Sequence, residues 1–403
     1  MAMMHLVARW SQLHPDKDRK IAVATVDHGL RRQSRREAQW VGEQARAIGL
    51  DHEILEWEGA KPSTGLQDAA REARYRLLSG LAWRYRPQGP VGIVTAHTED
   101  DQAETLLMRL ARGSGLDGLT GMSASRVLDR DGDCRLVRPL LAVPGARLQA
   151  TLEAAGLSWL EDPSNDSDRF ERVRLRKAGA ALAAIGLTNA KIALSARRLK
   201  RARAALEDAA KALQLVARLD LHGGIYASLD ANVLQGAAED VHLRVMARLI
   251  AAFGGQEDPP RLSRLESFLS RLCAPDFETG TLGGAIITRR ASELLIYREP
   301  GRTPLPETRL APGEAAEWDR RFRVATAPEI AAPVAVRALG APGFAKLRQQ
   351  LGAEMKVPAR AAATLPAFWQ DGALIAVPPL TRLPGGSAAW GDKARLCSAE
   401  FLW

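Results

Sequence analysis

Short apolar runs and helical repeats of apolar residues alternate along the first 155 positions of the chain. The runs at 21–26 and 91–95 are continuous, as in strands that are buried on both faces of a parallel sheet. Segments at 53–57 and 136–141 predict two further strands. Spacings of three and four predict helices at 1–13, 34–49, 66–84, 100–112 and 147–155. This alternation predicts an α/β fold with a doubly wound parallel sheet.

The pattern changes in the second half of the chain. A heptad-like spacing predicts one long helix with a packing seam formed by Ile192, Ser195, Leu199, Ala202, Leu206, Ala209, Leu213 and Val216. Helices at 241–253 and 262–272 and a hairpin at 282–297 follow. Residues 299–314 contain four prolines and two glycines, which indicates a linker.

These changes divide the chain into three predicted domains. Residues 1–178 form the α/β domain, residues 179–304 a mainly helical domain, and residues 315–403 a small α+β domain. The last domain contains an Asp-Gly pair at 371–372 between two apolar runs, which is a strong hairpin signal.

Cysteine usage and hydropathy limit the class of protein. Cys134, Cys273 and Cys397 are far apart and form no CxxC pair, which disfavours a disulfide framework and a zinc ribbon and fits a reducing cytoplasm. No apolar run approaches the length of a membrane span, and the first ten residues lack the apolar core of a signal peptide. The sequence therefore predicts a cytoplasmic protein without a membrane partner.

Positive charge is concentrated in one segment. The whole chain carries a net charge of +9, whereas residues 169–203 hold eleven lysine and arginine residues and one acid, Glu171, a net of +10. A solvated helix face usually interleaves acids with its bases. The concentration therefore predicts a surface that binds a polyanion.

The stretch 95–105 joins the end of a predicted strand to the first turns of a helix, the place where ligands bind in open α/β sheets. Its acids Asp100, Asp101 and Glu104 share one helical face. Two interpretations are open. In the first, these acids only stabilise the helix through its dipole, by roughly 0.3–1 kcal/mol each. In the second, the carboxylates hold Mg²⁺ together with substrate phosphates. The nearby His97 and the arginine-bearing loops elsewhere favour the second.

Two local motifs have simpler interpretations. Ser34 and Glu37 have the spacing of a capping box at the start of a helix. Residues 113–118 match GxGxxG, but the match follows a helix rather than a strand, so it indicates a loop and not a dinucleotide site.

Six segments taken in order resemble the tRNA(Ile)-lysidine synthases, members of the PP-loop ATP pyrophosphatase superfamily. They are residues 26–31 (VDHGLR), 73–75 (ARY), 95–105 (TAHTEDDQAET), 112–115 (RGSG), 138–141 (RPLL) and 161–165 (EDPSN). The helical middle region and the end domain, with residues 357–358, Arg360 and Pro366, resemble the tRNA-binding parts of the family more loosely. The resemblance implies a PP-loop, HUP-like sheet followed by tRNA-binding domains.

The resemblance also implies a reaction. ATP adenylates the C2 carbonyl oxygen of the wobble cytidine in a tRNA(Ile) with the anticodon CAU, and the ε-amine of L-lysine then displaces AMP to give lysidine. The implied cofactors are ATP and Mg²⁺, and the implied partners are this tRNA, L-lysine and ATP. The oligomeric state stays open, with a homodimer among the alternatives.

The resemblance assigns roles to particular residues. Catalysis falls to Asp100, Asp101, Glu104 and Arg74, of which the three carboxylates hold Mg²⁺ or orient the lysine amine. ATP binding falls to His28, His97, Arg74, Arg172 and Arg176. Contacts with tRNA fall to Arg112, Arg138, Arg197, Arg198, Lys200, Arg201, Arg203, Lys346, Lys356 and Arg360.

Two features depart from the family pattern. Many members have His-His where this chain has His97-Thr98. The family also opens with a strand and an SGGxDS loop whose N–H groups cradle pyrophosphate, whereas this sequence begins with what resembles the helix after that loop. We expect weak or no ATP turnover and a sheet that lacks a central strand, and the intact remainder favours a start site placed too late over a real truncation.

Two other functions compete with this one. The first is a different PP-loop tRNA-modifying enzyme, such as a thiolating enzyme; members that carry sulfur on paired cysteines need a CxxC, which this chain lacks. The second is a catalytically silent tRNA-binding protein descended from the synthase.

Overall fold

The computed structural model of the chain forms two compact units, Met1–Arg203 and Ala204–Trp403. The predicted motif at 161–165 and the predicted tRNA contact Lys356 lie outside the residues that the structure describes, and the division into three domains stays a prediction. The described residues are 1–16, 19–31, 33–62, 64–128, 132–160, 171–301, 304–351, 357–381 and 395–403.

The first unit follows the predicted alternation of strands and helices. Its elements are α1 (Ala2–Leu13), β1 (Ala22–Asp27), α2 (Ser34–Ala47), β2 (Asp51–Glu56), α3 (Leu66–Tyr85), β3 (Val91–Val94), α4 (Glu99–Ala111), α5 (Leu116–Leu119), β4 (Ser125–Val127), β5 (Cys134–Val137), α6 (Gly145–Ala154), α7 (Glu171–Ala184) and α8 (Asn189–Val216), which continues into the second unit.

The strands of this unit form two separate sheets. Strands β1 and β2 pair in parallel, from Ala22 with Asp51 to Asp27 with Glu56. Strand β3 pairs in parallel with β5, and β4 adds an antiparallel edge to β5. Among the described residues no strand joins β1 to β3.

The start of α2 corrects the predicted capping box. The Ser34 hydroxyl donates to the carboxylate of Asp27 (2.6 Å), and Glu37 pairs with Arg31 (2.7 Å). Both side chains are thus taken by groups at the end of β1 and in the following loop, and neither caps the helix.

The packing seam of α8 is shifted by one residue at alternate positions. Ala196 and Ala210 are buried, whereas the predicted Ser195 and Ala209 are exposed. The Ser195 hydroxyl instead donates to its own helix, at the carbonyl of Lys191 (3.1 Å). Small alanines suit a seam where another element approaches closely, and a pattern of apolar spacing does not choose between the two phases.

The second unit is an arrangement of antiparallel sheets and helices. Its elements after α8 are β6 (Ala227–Asp230), α9 (Ala231–Gln235), α10 (Glu239–Gly254), α11 (Leu262–Leu272), β7 (Thr279–Leu282), β8 (Ala285–Arg290), β9 (Glu293–Arg298), β10 (Thr308–Leu310), β11 (Ala315–Trp318), β12 (Phe322–Thr326), β13 (Val334–Ala338), α12 (Gly340–Leu351), α13 (Ala359–Ala362), β14 (Pro366–Gln370), β15 (Ala373–Ala376), α14 (Pro378–Thr381) and β16 (Cys397–Phe401). The strand orders are β6-β9-β8-β7, β10-β13-β14-β15 and β11-β12-β16.

The segment predicted as a linker contains a strand. Within 299–314, β10 pairs antiparallel with β13, and Leu310 is fully buried. Prolines at edge-strand flanks are compatible with pairing on one side, which is why the composition was misleading here.

The sheet β6-β9-β8-β7 contributes side chains to two buried apolar clusters, one on each face. Because successive side chains of a strand point to opposite faces, Ile286 packs with the strands of the end segment and Ile287 packs with α10 and α11. The middle and end segments of the second unit therefore share buried surface.

No single described helix is long and apolar enough to cross a bilayer; α7 and α8 meet the length and composition criteria only as a pair, and that pair is bent by 96°.

Candidate functional site

The carboxyl end of β3 leads directly into the first turn of α4. The N–H of the N-cap residue Thr98 donates to the carboxylate of Asp101 (2.8 Å), and the N–H of Asp101 approaches the Thr98 hydroxyl (3.5 Å). This capping box fixes the turn. Glu99 and Asp100 complete an acidic first turn, which the helix dipole stabilises. The first of the two interpretations, in which first-turn acids stabilise the helix, therefore applies to Asp100 and Asp101.

The other two predicted carboxylates bond to other elements. Asp100 accepts hydrogen bonds from the N–H of Gly145 and the side-chain amide of Asn189, each at 2.7 Å. Glu104 is 6% exposed and accepts from Nε of Arg176 at 2.5 Å. Burial raises the pKa of Glu104, and the bond from Arg176 opposes that shift. The ion pair joins α4 to α7.

The three carboxylates thus have three different sets of partners. The described residues contain no group of three or more His, Cys, Asp or Glu side chains that could hold a metal ion. Asp100, Asp101 and Glu104 as arranged do not fit a common Mg²⁺ site.

His97 lies between this turn and a group of arginines. Burial lowers the pKa of His97, and the carboxylate of Asp101 opposes the shift. Nearby positive charges lower the pKa further, so the imidazole is neutral at pH 7 and faces a positive potential. These charges belong to Arg138, Arg172 and Arg71.

His28, just beyond β1, belongs to the same region. Its Nε2 lies 3.5 Å from a guanidinium nitrogen of Arg74, and its ring meets Trp57 edge-on with centroids 5.8 Å apart. Its Nδ1 is buried and has no hydrogen-bond partner among the described residues. Burial lowers the pKa of His28, Arg74 and Lys61 lower it further, and Asp27 opposes them.

Arg172 connects the two histidine regions electrostatically. Its charge lowers the pKa of Arg74, of His97 and of Glu104. The structure therefore brings together, at the carboxyl ends of β1 and β3, most of the side chains predicted to be catalytic or ATP-binding, namely His28, Arg74, His97, Asp101, Glu104, Arg172 and Arg176.

Sequence reasoning missed two members of this group. Arg71 precedes Arg74 by three residues on α3 and so shares its helix face, a spacing that could have identified it. Arg138 was predicted to contact tRNA, but it is 6% exposed, donates to the carbonyl of Ser123 (2.8 Å) and lowers the pKa of His97 through its charge. Nothing in its local sequence signals that burial.

The basic residues predicted to contact tRNA fall into two sets. Three are paired with acids of the same unit: Arg112 with Glu171, Arg197 with Glu99 (3.5 Å), and Arg203 with Asp117 (2.8 Å). The others on α8 are exposed: Arg198, Lys200 and Arg201.

In the second unit, Lys346 and Arg360 are exposed. Arg360 also lines a groove of about 1090 Å³ together with Arg337, Arg348 and the apolar side chains of Leu305 and Phe344. A groove lined by apolar side chains, three arginines and one acid, Glu307, is compatible with a nucleic acid ligand.

Comparison with known proteins places the chain in a family. Residues 1–180 match the family model of the PP-loop domain. The chain is 47% identical over 309 residues to the tRNA(Ile)-lysidine synthase of Methylobacterium nodulans, which covers 75% of this chain and 87% of that one. It is 48% identical over 288 residues to the synthase of a second Methylobacterium (70% and 82% covered). It is 37% identical over 393 residues to that of Ruegeria pomeroyi (96% and 88% covered). Because similarity at this level extends over most of both chains, the chain belongs to the tRNA(Ile)-lysidine synthase family.

Proposed function

We propose that the chain ligates L-lysine to C2 of the wobble cytidine of a tRNA(Ile) with the anticodon CAU and consumes ATP. The observation that carries the proposal is the cluster of arginines and neutral histidines at the carboxyl ends of β1 and β3, inside the PP-loop domain. Ligand sites of open α/β sheets lie at this edge. The cluster supplies positive charge next to proton-accepting imidazoles.

The first step transfers the adenylyl group. The C2 carbonyl oxygen of the cytidine forms a bond to the α-phosphorus of ATP, and the bond from that phosphorus to the β-phosphate oxygen breaks, so that pyrophosphate leaves. Negative charge develops on the phosphates, where preorganised cations stabilise the transition state. We assign this role to Arg74 and Arg172, with Arg71 and Arg176 as further cations.

The second step forms the new carbon–nitrogen bond. The lysine ε-amine attacks C2, the bond from C2 to the adenylated oxygen breaks, and AMP leaves. The amine must first lose a proton, because the ammonium form has no lone pair. We propose that Asp101 attracts the lysine side chain and that the neutral His97 beside it accepts the proton.

We propose that Mg²⁺ binds as a complex with ATP and is not held by a set of protein carboxylates. The carboxylates of Asp100 and Glu104 are bonded to Asn189 and Arg176, and Mg²⁺ commonly binds through substrate phosphates with one or two carboxylates. No step is assigned to a metal held by the chain. A cytoplasmic location and a homodimer stay predictions.

The decisive experiment measures incorporation of radiolabelled lysine into a CAU-anticodon tRNA(Ile) with ATP and Mg²⁺. We expect incorporation that depends on ATP and releases AMP, weak without the SGGxDS loop, as the sequence predicts, and stronger in a version that carries it. Arg74→Ala should lower kcat/KM by about 10²–10³-fold, the usual effect of removing one charge-stabilising donor. Arg76→Ala, an exposed arginine on the same helix, is the matched control and should keep activity. Absence of incorporation both by this chain and by the version that carries the SGGxDS loop would overturn the proposal.

A silent tRNA-binding protein is the second candidate, because two predicted catalytic carboxylates are already bonded to protein partners. The same assay separates the two functions when it is combined with tRNA binding measured against salt. Binding without lysine incorporation supports this second candidate. In either case Arg201→Ala should reduce the slope of log affinity against log salt by about one, since the exposed Arg201 is proposed to contact one phosphate.

A further inference from the structure

Residues 118–123, at the end of α5 and just beyond it, run past α4 and are held there by side chains; we call them the clamped loop. Arg109 of α4 donates to the carbonyls of Gly118 (2.6 Å) and Gly121 (3.1 Å). Burial lowers the pKa of Arg109, and the nearby charge of Arg71 lowers it further. This part of the clamped loop therefore borders the arginine cluster of the candidate site.

Gln102 binds the clamped loop through both atoms of its side-chain amide. Its Nε2 donates to the carbonyl of Met122 (2.9 Å), and its Oε1 accepts from the N–H of the same residue (2.6 Å). Gly121 permits this close approach, because a Cβ at that position would lie 2.6 Å from Oε1 of Gln102 and its φ of +72° favours glycine. The amide thus fixes the backbone of Met122 by two bonds.

The groups that hold the clamped loop are also neighbours of Asp101 and His97. Gln102 directly follows Asp101 on α4. Arg138 donates to the carbonyl of Ser123 (2.8 Å). Burial lowers the pKa of His97, and the charge of Arg138 lowers it further. The clamped loop therefore lies beside the two residues proposed to receive the lysine amine.

Met122 places an apolar side chain at the point where Gln102 holds the loop. The residue is half-buried, and it is not part of the four buried apolar clusters that the described residues form. A methionine side chain is unbranched and flexible, so it adapts to an apolar partner of irregular shape. The backbone of Met122 is thus fixed while its side chain lies outside the apolar cores, an arrangement that suits contact with a ligand.

L-lysine combines a cation with an apolar stem of four methylene groups. The cation is attracted by the carboxylate of Asp101, as proposed above. The stem needs an apolar surface, because removing one methylene group from water against such a surface is worth about fourfold in affinity. Met122 supplies an apolar side chain next to the residue that follows Asp101.

We propose that Met122 contacts the methylene groups of the substrate lysine and that Gln102 is the positioning residue that holds Met122 in place. The inference rests on the proposed function, because it takes L-lysine as the substrate. Asp101 then recognises the charge of the substrate, and Met122 recognises its length. Ornithine, which is one methylene group shorter, carries the same charge but makes less contact with Met122.

The first experiment measures binding of radiolabelled L-lysine to the full chain by equilibrium dialysis, without ATP or tRNA. Met122→Ala should raise the Kd roughly tenfold, because it removes the apolar contact. Met122→Leu preserves the apolar volume and should stay within about twofold of the unsubstituted chain. The preference for lysine over ornithine should fall about fourfold in Met122→Ala, the effect of one methylene group. A general disturbance of the site would weaken both amines equally.

The second experiment measures the lysine dependence of incorporation into tRNA by the version that carries the SGGxDS loop. Met122→Ala should raise the KM for lysine about tenfold and leave kcat within about twofold, the pattern of lost ground-state binding. The matched control is Val127→Ala, which shortens an exposed apolar side chain of β4 in the same unit. It should change neither constant.

A double-mutant cycle tests the role of Gln102. Gln102→Met keeps the length of the side chain but leaves the N–H and carbonyl of Met122 without their partners, and it should raise the KM for lysine about as much as Met122→Ala. Because both substitutions remove the same contact, the double variant should resemble either single variant. Effects that multiply would show that Gln102 does not act through Met122.

Two results would refute the role of Met122: an unchanged Kd and KM for lysine in Met122→Ala, and an equal loss of lysine and ornithine binding. If Met122→Ala does not fold, Met122→Gln, which keeps the length of the side chain but introduces an amide, should show the same loss. Failure of the proposed function is distinguishable. Lysine binding that depends on Met122 without ligation would overturn the function alone, whereas ligation with an unchanged KM in Met122→Ala would overturn this inference alone.

Discussion

The two units of the chain differ in what they bury. In the described part of the first unit the buried apolar clusters are small, such as Met4, Ala8, Ala45 and Leu50. In the second unit two large clusters include aromatic residues such as Phe253 and Phe368, which are fully buried. The first unit instead concentrates arginines and histidines at the carboxyl ends of β1 and β3. The large apolar cores that stabilise the fold thus lie in the second unit, and the charged groups of the candidate site lie in the first. This is expected because functional sites hold like charges and polar groups together, which reduces local stability.

The two units also treat ion pairs differently. In the first unit Arg176, which pairs with Glu104, has a side chain that is 47% exposed. In the second unit Arg321 is completely buried and shares the carboxylate of Asp319 with Arg298. Half-exposed arginines can exchange a protein carboxylate for a substrate phosphate, whereas the buried pair is structural. Four predictions test this contrast.

The largest expected effect is on the cores. Phe368→Ala should lower the free energy of unfolding of the second unit by about 3–5 kcal/mol, the usual range for a buried phenylalanine. Leu106→Ala in the first unit should cost about 2 kcal/mol, at the low end for leucine, because Leu106 packs in a cluster of only four buried residues. Urea titrations followed by hydrogen exchange would assign each loss to its unit. A larger loss from Leu106→Ala would reverse the comparison.

The second effect concerns the buried charges. Asp319→Ala should destabilise the second unit by about 3–5 kcal/mol, because it leaves the guanidinium of Arg321 buried without its carboxylate. Arg176→Ala should cost roughly 1–3 kcal/mol, since Glu104 can protonate or gain water. Replacing Asp319, Arg321 and Arg298 together by apolar residues should recover much of the first loss. If Asp319→Ala is the milder variant in urea, the assigned roles are wrong.

The third effect depends on pH. Burial lowers the pKa of His242 to about 4 from 6.5, so the folded unit keeps this residue neutral where the unfolded chain binds a proton. Stability is therefore complete above pH 6.5 and falls as the pH drops toward 4, by up to about 3 kcal/mol. His242→Leu should flatten this part of the stability profile of the second unit. A profile that is unchanged by the substitution would exclude His242 as its cause.

The smallest effect concerns the first turn of α4. Thr98→Ala removes the N-cap and should destabilise the first unit by about 1 kcal/mol. Thr98→Ser retains the hydroxyl and serves as the control. Thermal unfolding of both variants measures the difference, and equal midpoints would show that the acidic turn is held by its other bonds alone.

Local sequence determined most of the secondary structure. Helix α11 covers the predicted residues 262–272, and the Asp-Gly turn before β15 has positive φ values at Asp371 (50°) and Gly372 (78°), as that residue pair favours. The alternation of the first unit and the grouping of charge around α8 were also readable from the sequence. These features depend on neighbours within a few residues, whose side-chain spacing and backbone preferences are written in the sequence itself.

The tertiary structure alone decided which groups meet. Ser34 bonds to Asp27 in place of its own helix, Arg138 is buried and donates to the carbonyl of Ser123, and Glu104 pairs with Arg176, 72 residues further along the chain. Each choice depends on which elements pack side by side and on which buried polar groups then need partners. Residue spacing along the chain does not show which distant groups come together on folding. The sequence therefore identified the charged groups of the site but not their partners.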